Sequence, residues 1–139
     1  MTDPAWVNYE EIDHTADWAL KVRGRDLPAL FVNAALGMME LAGVRTSDDV
    51  GLERQIEIQA IDRESLLVDW LHEVLLALEL EHLAFREMDL EITDGRKLVG
   101  TVRAVPMVSM EKPVKAVTYN ELNIQESPEG LETTVVFDV

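Results

Sequence analysis

Residues 17–31, Asp17-Trp18-Ala19-Leu20-Lys21-Val22-Arg23-Gly24-Arg25-Asp26-Leu27-Pro28-Ala29-Leu30-Phe31, contain the change of hydrophobic period that decides the fold class. Before Gly24 the pattern alternates. Trp18, Leu20 and Val22 share one face and Asp17, Ala19, Lys21 and Arg23 the other, as in a half-buried strand. After Asp26 the apolar residues Leu27, Leu30, Phe31, Ala34, Ala35, Met38, Met39 and Ala42 recur at three- and four-residue spacing, as along one side of a helix. Gly24-Arg25-Asp26 is the turn between them. Asp26 carries the side chain of an N-cap, Pro28 suits the first helical turn, and Gly43 suits the position just past the helix end. A strand therefore runs directly into a helix. Trp18 is expected to anchor in the core, which leaves Asp17 on the opposite face.

The same reading extends in both directions. Upstream, Trp6 to Ile12 reads as a short strand broken at Asp13-His14-Thr15. Downstream, Val44 to Val50 reads as a loop. A strand from about Leu52 to Ala60 places Ile56, Ile58 and Ala60 inward and Glu53, Gln55, Glu57 and Gln59 outward. Asp62 caps a second helix whose stripe is Leu66, Leu67, Trp70, Leu71, Val74, Leu75 and Leu78, with His72 and His82 read as solvated residues off that stripe. Met88, Leu90 and Ile92 alternate up to Asp94-Gly95, a hairpin signal, and the return strand runs from about Lys97 to Val105. Pro106 and Pro113 are expected to bracket an irregular segment. Lys115 to Ile124 is extended in character, Ser127-Pro128-Glu129-Gly130 is a turn, and Leu131 to Asp138 is the last strand. Two amphipathic helices among roughly seven strands imply an α+β fold, with the helices packed on a largely antiparallel sheet and residues 1–139 forming a single domain.

Composition narrows the function classes. The 139 residues are 47% hydrophobic and 28% charged, the balance of a globular chain. There is no cysteine, so disulfides, thiolate metal sites and a cysteine nucleophile are excluded, and a cytoplasmic location fits. No apolar run is long enough to span a bilayer, and residues 1–6 lack the basic and apolar regions of a secretory signal. Acids outnumber bases by 27 to 12, a net charge of −15. Such a field repels phosphate backbones and anionic membranes and favours cations and basic protein surfaces. Direct binding of nucleic acid or membrane is therefore not expected.

Two acidic features stand out. Asp13-His14-Thr15-Ala16-Asp17 packs two carboxylates, an imidazole and a hydroxyl into a break between strand-like runs, and Asp138-Val139 places a carboxylate at the end of another such run. Oxygen ligands gathered from distant parts of a chain suit a hard divalent cation, calcium or magnesium in preference to zinc. Taken alone, each also reads as an ordinary surface acid.

The ordered set of motifs is more specific. It comprises Asp13 to Asp17, the Asn-Ala-Ala-Leu-Gly segment Asn33 to Gly37, Leu66 to Leu75, Val114-Lys115-Ala116-Val117-Thr118-Tyr119 and the terminal Val135-Val136-Phe137-Asp138-Val139. In this order and spacing, over nearly the whole chain, the sequence closely resembles the archease family. The resemblance implies an α+β accessory protein without catalysis of its own, which promotes guanylylation and turnover by an RtcB-type tRNA-splicing RNA ligase or modulates a tRNA cytosine-5 methyltransferase. It implies a divalent cation, typically calcium, held by Asp17, Asp138 and the terminal carboxylate of Val139. It also implies a functional surface at Asp13, His14 and Lys115. The chain departs from the family at Asn120, where a histidine usually follows the tyrosine.

Two other classes stay open on the residues alone. One is a metal-dependent phosphoester hydrolase using Asp13, His14 and Asp17, although no nucleophile or glycine-rich phosphate loop accompanies them. The other is a general chaperone-like binding module, which calls for a large exposed apolar patch.

Overall fold

Both helices begin at their expected caps. The Asp26 carboxylate accepts the Ala29 amide at 2.9 Å, and the Asp62 carboxylate accepts the Ser65 amide at 2.8 Å. A computed structural model of the chain describes residues 8–12, 18–120 and 122–139. In chain order its elements are β1 (Tyr9–Ile12), β2 (Trp18–Gly24), α1 (Leu27–Leu41), β3 (Arg45–Thr46), β4 (Leu52–Gln59) and α2 (Arg63–Leu76). A π-helical stretch, Ala77–Glu81, continues α2, and β5 (Leu83–Thr93), β6 (Lys97–Ser109), β7 (Ala116–Thr118), β8 (Gln125–Ser127) and β9 (Gly130–Asp138) follow. The α+β reading holds, with two α-helices and every strand pair antiparallel among the described residues.

The strands form two sheets instead of one. The first has the order β1-β2-β9-β7, with β8 also on β9; the second has β6 between β5 on one side and β4 and β3 on the other. Helix α1 packs on β1, β2 and β9 of the first sheet and on β5 of the second, while α2 touches β7 and β4. Their apolar faces meet in one buried cluster that includes Phe31, Trp70, Phe85, Leu98 and Phe137. At its centre the Trp70 indole N–H donates to the Phe31 carbonyl at 3.0 Å, and the Trp70 and Phe85 rings lie 6.1 Å apart. Gly24 permits the tight passage from β2 to α1, because a Cβ there would lie 2.3 Å from the Leu30 nitrogen.

Five local expectations change. Val44 to Val50, expected as a loop, contains the short strand β3, which pairs with β6. Strand β6 continues through Pro106 to Ser109. The Pro106 carbonyl accepts the Ser47 amide, so the missing N–H of Pro106 faces the junction between β3 and β4 and breaks no long ladder. Ala19, placed on the solvent face by alternation, is fully buried with its partner Val136, because both faces of the first sheet are covered here. Trp18 packs against the core from its margin. Of the described residues in the extended run Lys115 to Ile124, only Ala116–Thr118 pairs as a strand. Beyond it the backbone of Ile124 is clamped by the first turn of α2: Arg63 donates to its carbonyl at 2.6 Å and Glu64 accepts its amide at 3.0 Å.

Helix α1 ends as its sequence predicts. Gly43 has φ +70° and its amide bonds the Glu40 carbonyl. The Glu111 and Lys112 amides both donate to the Ala42 carbonyl at 3.0 Å, pinning the β6–β7 connection to this helix end. The Tyr9 hydroxyl donates to the Glu40 carboxylate and ties β1 to the same helix.

Two outcomes follow from this packing. Trp70→Phe is expected to cost about 2 kcal/mol in urea unfolding, from lost ring volume and one buried hydrogen bond. The Glu40 carboxylate beside Tyr9 pushes its phenol up to about 12 from the ordinary 10.0. The folded state thus keeps that proton longer than the unfolded one. The contribution is present below about pH 10 and is lost as pH rises toward 12. Tyr9→Phe should therefore lower the melting temperature at pH 8, and the gap to the native chain should shrink across that alkaline window.

Candidate functional site

The last strand supplies the first part of the site. β9 is paired on both sides: with β2 from Trp18↔Phe137 to Gly24↔Leu131, and with β7 from Ala116↔Asp138 to Thr118↔Val136. Val135, Val136 and Phe137 are fully buried, so the strand is anchored up to the residue before Asp138. Asp138 itself is exposed and Val139 is 39% exposed. The main-chain carbonyl of Asp138 accepts the Lys115 amide at 2.8 Å, which fixes the backbone while its carboxylate faces solvent. Asp138 makes no ion pair among the described residues.

Of the residues predicted from sequence, the structure brings Asp138, Val139 and Lys115 to one end of the first sheet. Asp13, His14 and Asp17 lie outside the described residues. Trp18, the residue that follows Asp17 in the chain, is the Cα partner of Phe137, the residue that precedes Asp138. Among the described residues no three His, Asp or Glu side chains gather as a metal cluster. His72 is half-buried on α2, and His82 is exposed just past the π-helical stretch with a left-handed backbone, φ 55°. Asn120, at the departure from the family pattern, is exposed beside Tyr119, and its amide donates to the Thr118 hydroxyl at 3.2 Å.

One neighbour escaped the sequence reading. The Lys112 ammonium sits 5.3 Å from the centroid of the Trp18 ring, a cation–π contact at the margin of this end of the sheet. No periodic pattern marks Lys112. Its position follows from the two hydrogen bonds that its loop makes to the Ala42 carbonyl.

No helix among the described residues is long and apolar enough to cross a membrane. The sequence pattern of the archease protein family matches residues 9–139. Protein archease of Archaeoglobus fulgidus is 36% identical over 141 residues, covering 96% of this chain and 100% of its own length. That of Methanosarcina barkeri is 33% identical over 139 residues, covering 94% and 95%. In three dimensions the solution structure of protein 1598 of Methanobacterium thermoautotrophicum superposes with a TM-score of 0.71 at 31% identity, over 95% of this chain and 99% of that one. An archease of Thermotoga maritima, described as a possible chaperone, has the same fold with a TM-score of 0.69 at 24% identity, over 100% and 98%. With the match running from β1 to the last residue, the chain belongs to the archease family.

Proposed function

We propose that this chain is a non-catalytic accessory protein that holds a divalent cation at the end of β9 and acts on an RNA-processing enzyme. The observation that carries the reading is the β2–β9 register, in which Trp18, the residue after Asp17 in the chain, faces Phe137, the residue before Asp138. The carboxylates of Asp17 and Asp138 with the α-carboxylate of Val139 would form an all-oxygen donor set, which suits calcium first and magnesium second. Asp17, Asp138 and Val139 would hold the ion. The anchoring of β9 limits the entropy lost when its end is ordered around a cation. A bound cation would supply positive charge for phosphate oxygens in an otherwise acidic molecule.

Family membership supports a protein partner, and the resemblance points to an RtcB-type tRNA-splicing RNA ligase or a tRNA cytosine-5 methyltransferase. A net charge of −15 favours docking on a basic, RNA-binding surface of such an enzyme over contact with RNA itself. Lys115, exposed beside Asp138, would contribute a cation against the partner's bound nucleotide, and Asp13 and His14 would border the site.

Calcium and magnesium titrations of three proteins test the site: the native chain, Asp17→Asn, and the native chain extended by a C-terminal tag. Both changes are expected to weaken binding by at least about tenfold, a loss that even the outer partners of a metal site commonly cause. Unchanged affinity in both would remove the site. Separately, the native protein should raise multiple turnover by its cognate ligase in the presence of the metal. Turnover left unaltered with and without metal would contradict the partner assignment.

A further inference from the structure

The open edge of β4 plays no part in the cation site. β4 pairs with β6 along its whole length, from Leu52↔Ala104 to Gln59↔Lys97, and with no other strand among the described residues. Just past its end the Ala60 amide donates to the Arg96 carbonyl, so that position is a hydrogen-bonded one. In an antiparallel ladder such positions alternate. The N–H and C=O groups of Leu52, Arg54, Ile56 and Ile58 therefore point toward β6, and those of Glu53, Gln55, Glu57 and Gln59 point away from it. Four residues thus offer main-chain donors and acceptors along an edge that no other strand among the described residues covers, without a bulge or proline to blunt it.

The two faces beside this edge differ in chemistry. On the inner face, Leu52 is 78% exposed although it shares a row with buried Ile56. Leu52, Val50, Leu83 and Pro106 line a cleft of about 530 Å³. Arg54 closes one side, held by both Glu81 oxygens at 2.9 and 2.6 Å and lying 5.8 Å from the centre of the Phe85 ring. On the outer face the row is Glu53, Gln55, Glu57 and Gln59, with no base of its own; Lys97 of β6 reaches Glu57 at 3.6 Å.

We propose that β4 receives an extended segment of a partner protein as an added strand, with apolar side chains entering the cleft and Lys or Arg side chains alternating along the acidic outer row. Charge decides against a second copy as the occupant. Antiparallel self-pairing that keeps the faces aligned lays the Glu/Gln row against itself, and centred on Gln55 it sets Glu53 opposite Glu57. A segment that alternates basic and apolar residues satisfies both faces at once.

Fluorescence anisotropy with a labelled peptide of about seven alternating Lys and Val residues, a usual strand length, tests this. The peptide should bind the native protein, bind less tightly as salt rises, and bind equally with and without a chelator, which separates this surface from the cation site. Gln55→Pro removes a donor on the free edge while keeping the β6 ladder, a place where edge strands tolerate proline. It should weaken binding by at least about tenfold, whereas Gln55→Ala should not. Independently of how Gln55→Pro folds, a peptide methylated on its backbone nitrogens should lose binding to the native chain. Equal binding of the methylated and unmethylated peptides, or no binding of the Lys–Val peptide, overturns the proposal. So does a native dimer that Gln55→Pro dissolves, since the second copy would then hold the edge.

Discussion

The pairing of the last strand at the middle of a sheet is the constraint on which the rest of this molecule depends. β9 holds β2 along one side and β7 and β8 along the other, and β1 joins the sheet through β2. Its partner β2 lies near the other end of the chain, so the first sheet cannot close until the final residues are in place. Closure of that kind is slow, because loop entropy is lost before the contacts that offset it form. The same arrangement explains why this strand, at a place in the chain that ordinarily frays, is paired on both sides and buried. Residues 135 to 137 are fully buried, and the acid that follows them is exposed on a fixed backbone.

Electrostatics acts on this scaffold in two ways. Several of the twelve bases are engaged within the molecule: Arg23 with Glu10 and Glu132, Arg54 with Glu81, Lys97 with Glu57, and Arg103 with Glu87. These pairs are surface contacts that add little stability, but they leave the excess acid to set the long-range field. In the proposed function that field would draw cations toward the end of β9 and basic protein surfaces toward the outer row of β4. Cation capture and partner docking would then rest on one property of the sequence acting at two separate places.

Much of the fold was legible because local chemistry and global packing agree. The period change at Gly24-Arg25-Asp26, the caps Asp26 and Asp62, and the left-handed Gly43 each fix a boundary without tertiary help. What was not legible depends on partners distant in sequence. Alternation alone cannot reveal that the first sheet is covered on both faces, so Ala19 was misplaced. Nor can it show that the carbonyl of Pro106 finds Ser47, which allows β6 to continue. The division into two sheets hides behind short strands such as β3 and β8, which carry too few residues to show a period. At the candidate site the acidic residue types were visible from the start, whereas the register that relates Trp18 to Phe137 was not. Lys112 carried no signal, since its position over Trp18 comes from a loop pinned to the end of α1.

The central claim is that the anchored end of β9 holds a hard cation beside β2. Terbium, a luminescent substitute for calcium, tests it through Trp18, whose pairing with Phe137 places an indole donor next to this strand end. Tryptophan excitation of the native protein is expected to give terbium emission that calcium quenches by competition, that Asp138→Asn abolishes and that Trp18→Phe diminishes. Emission that is absent from the native protein, or indifferent to Asp138→Asn, would contradict the account.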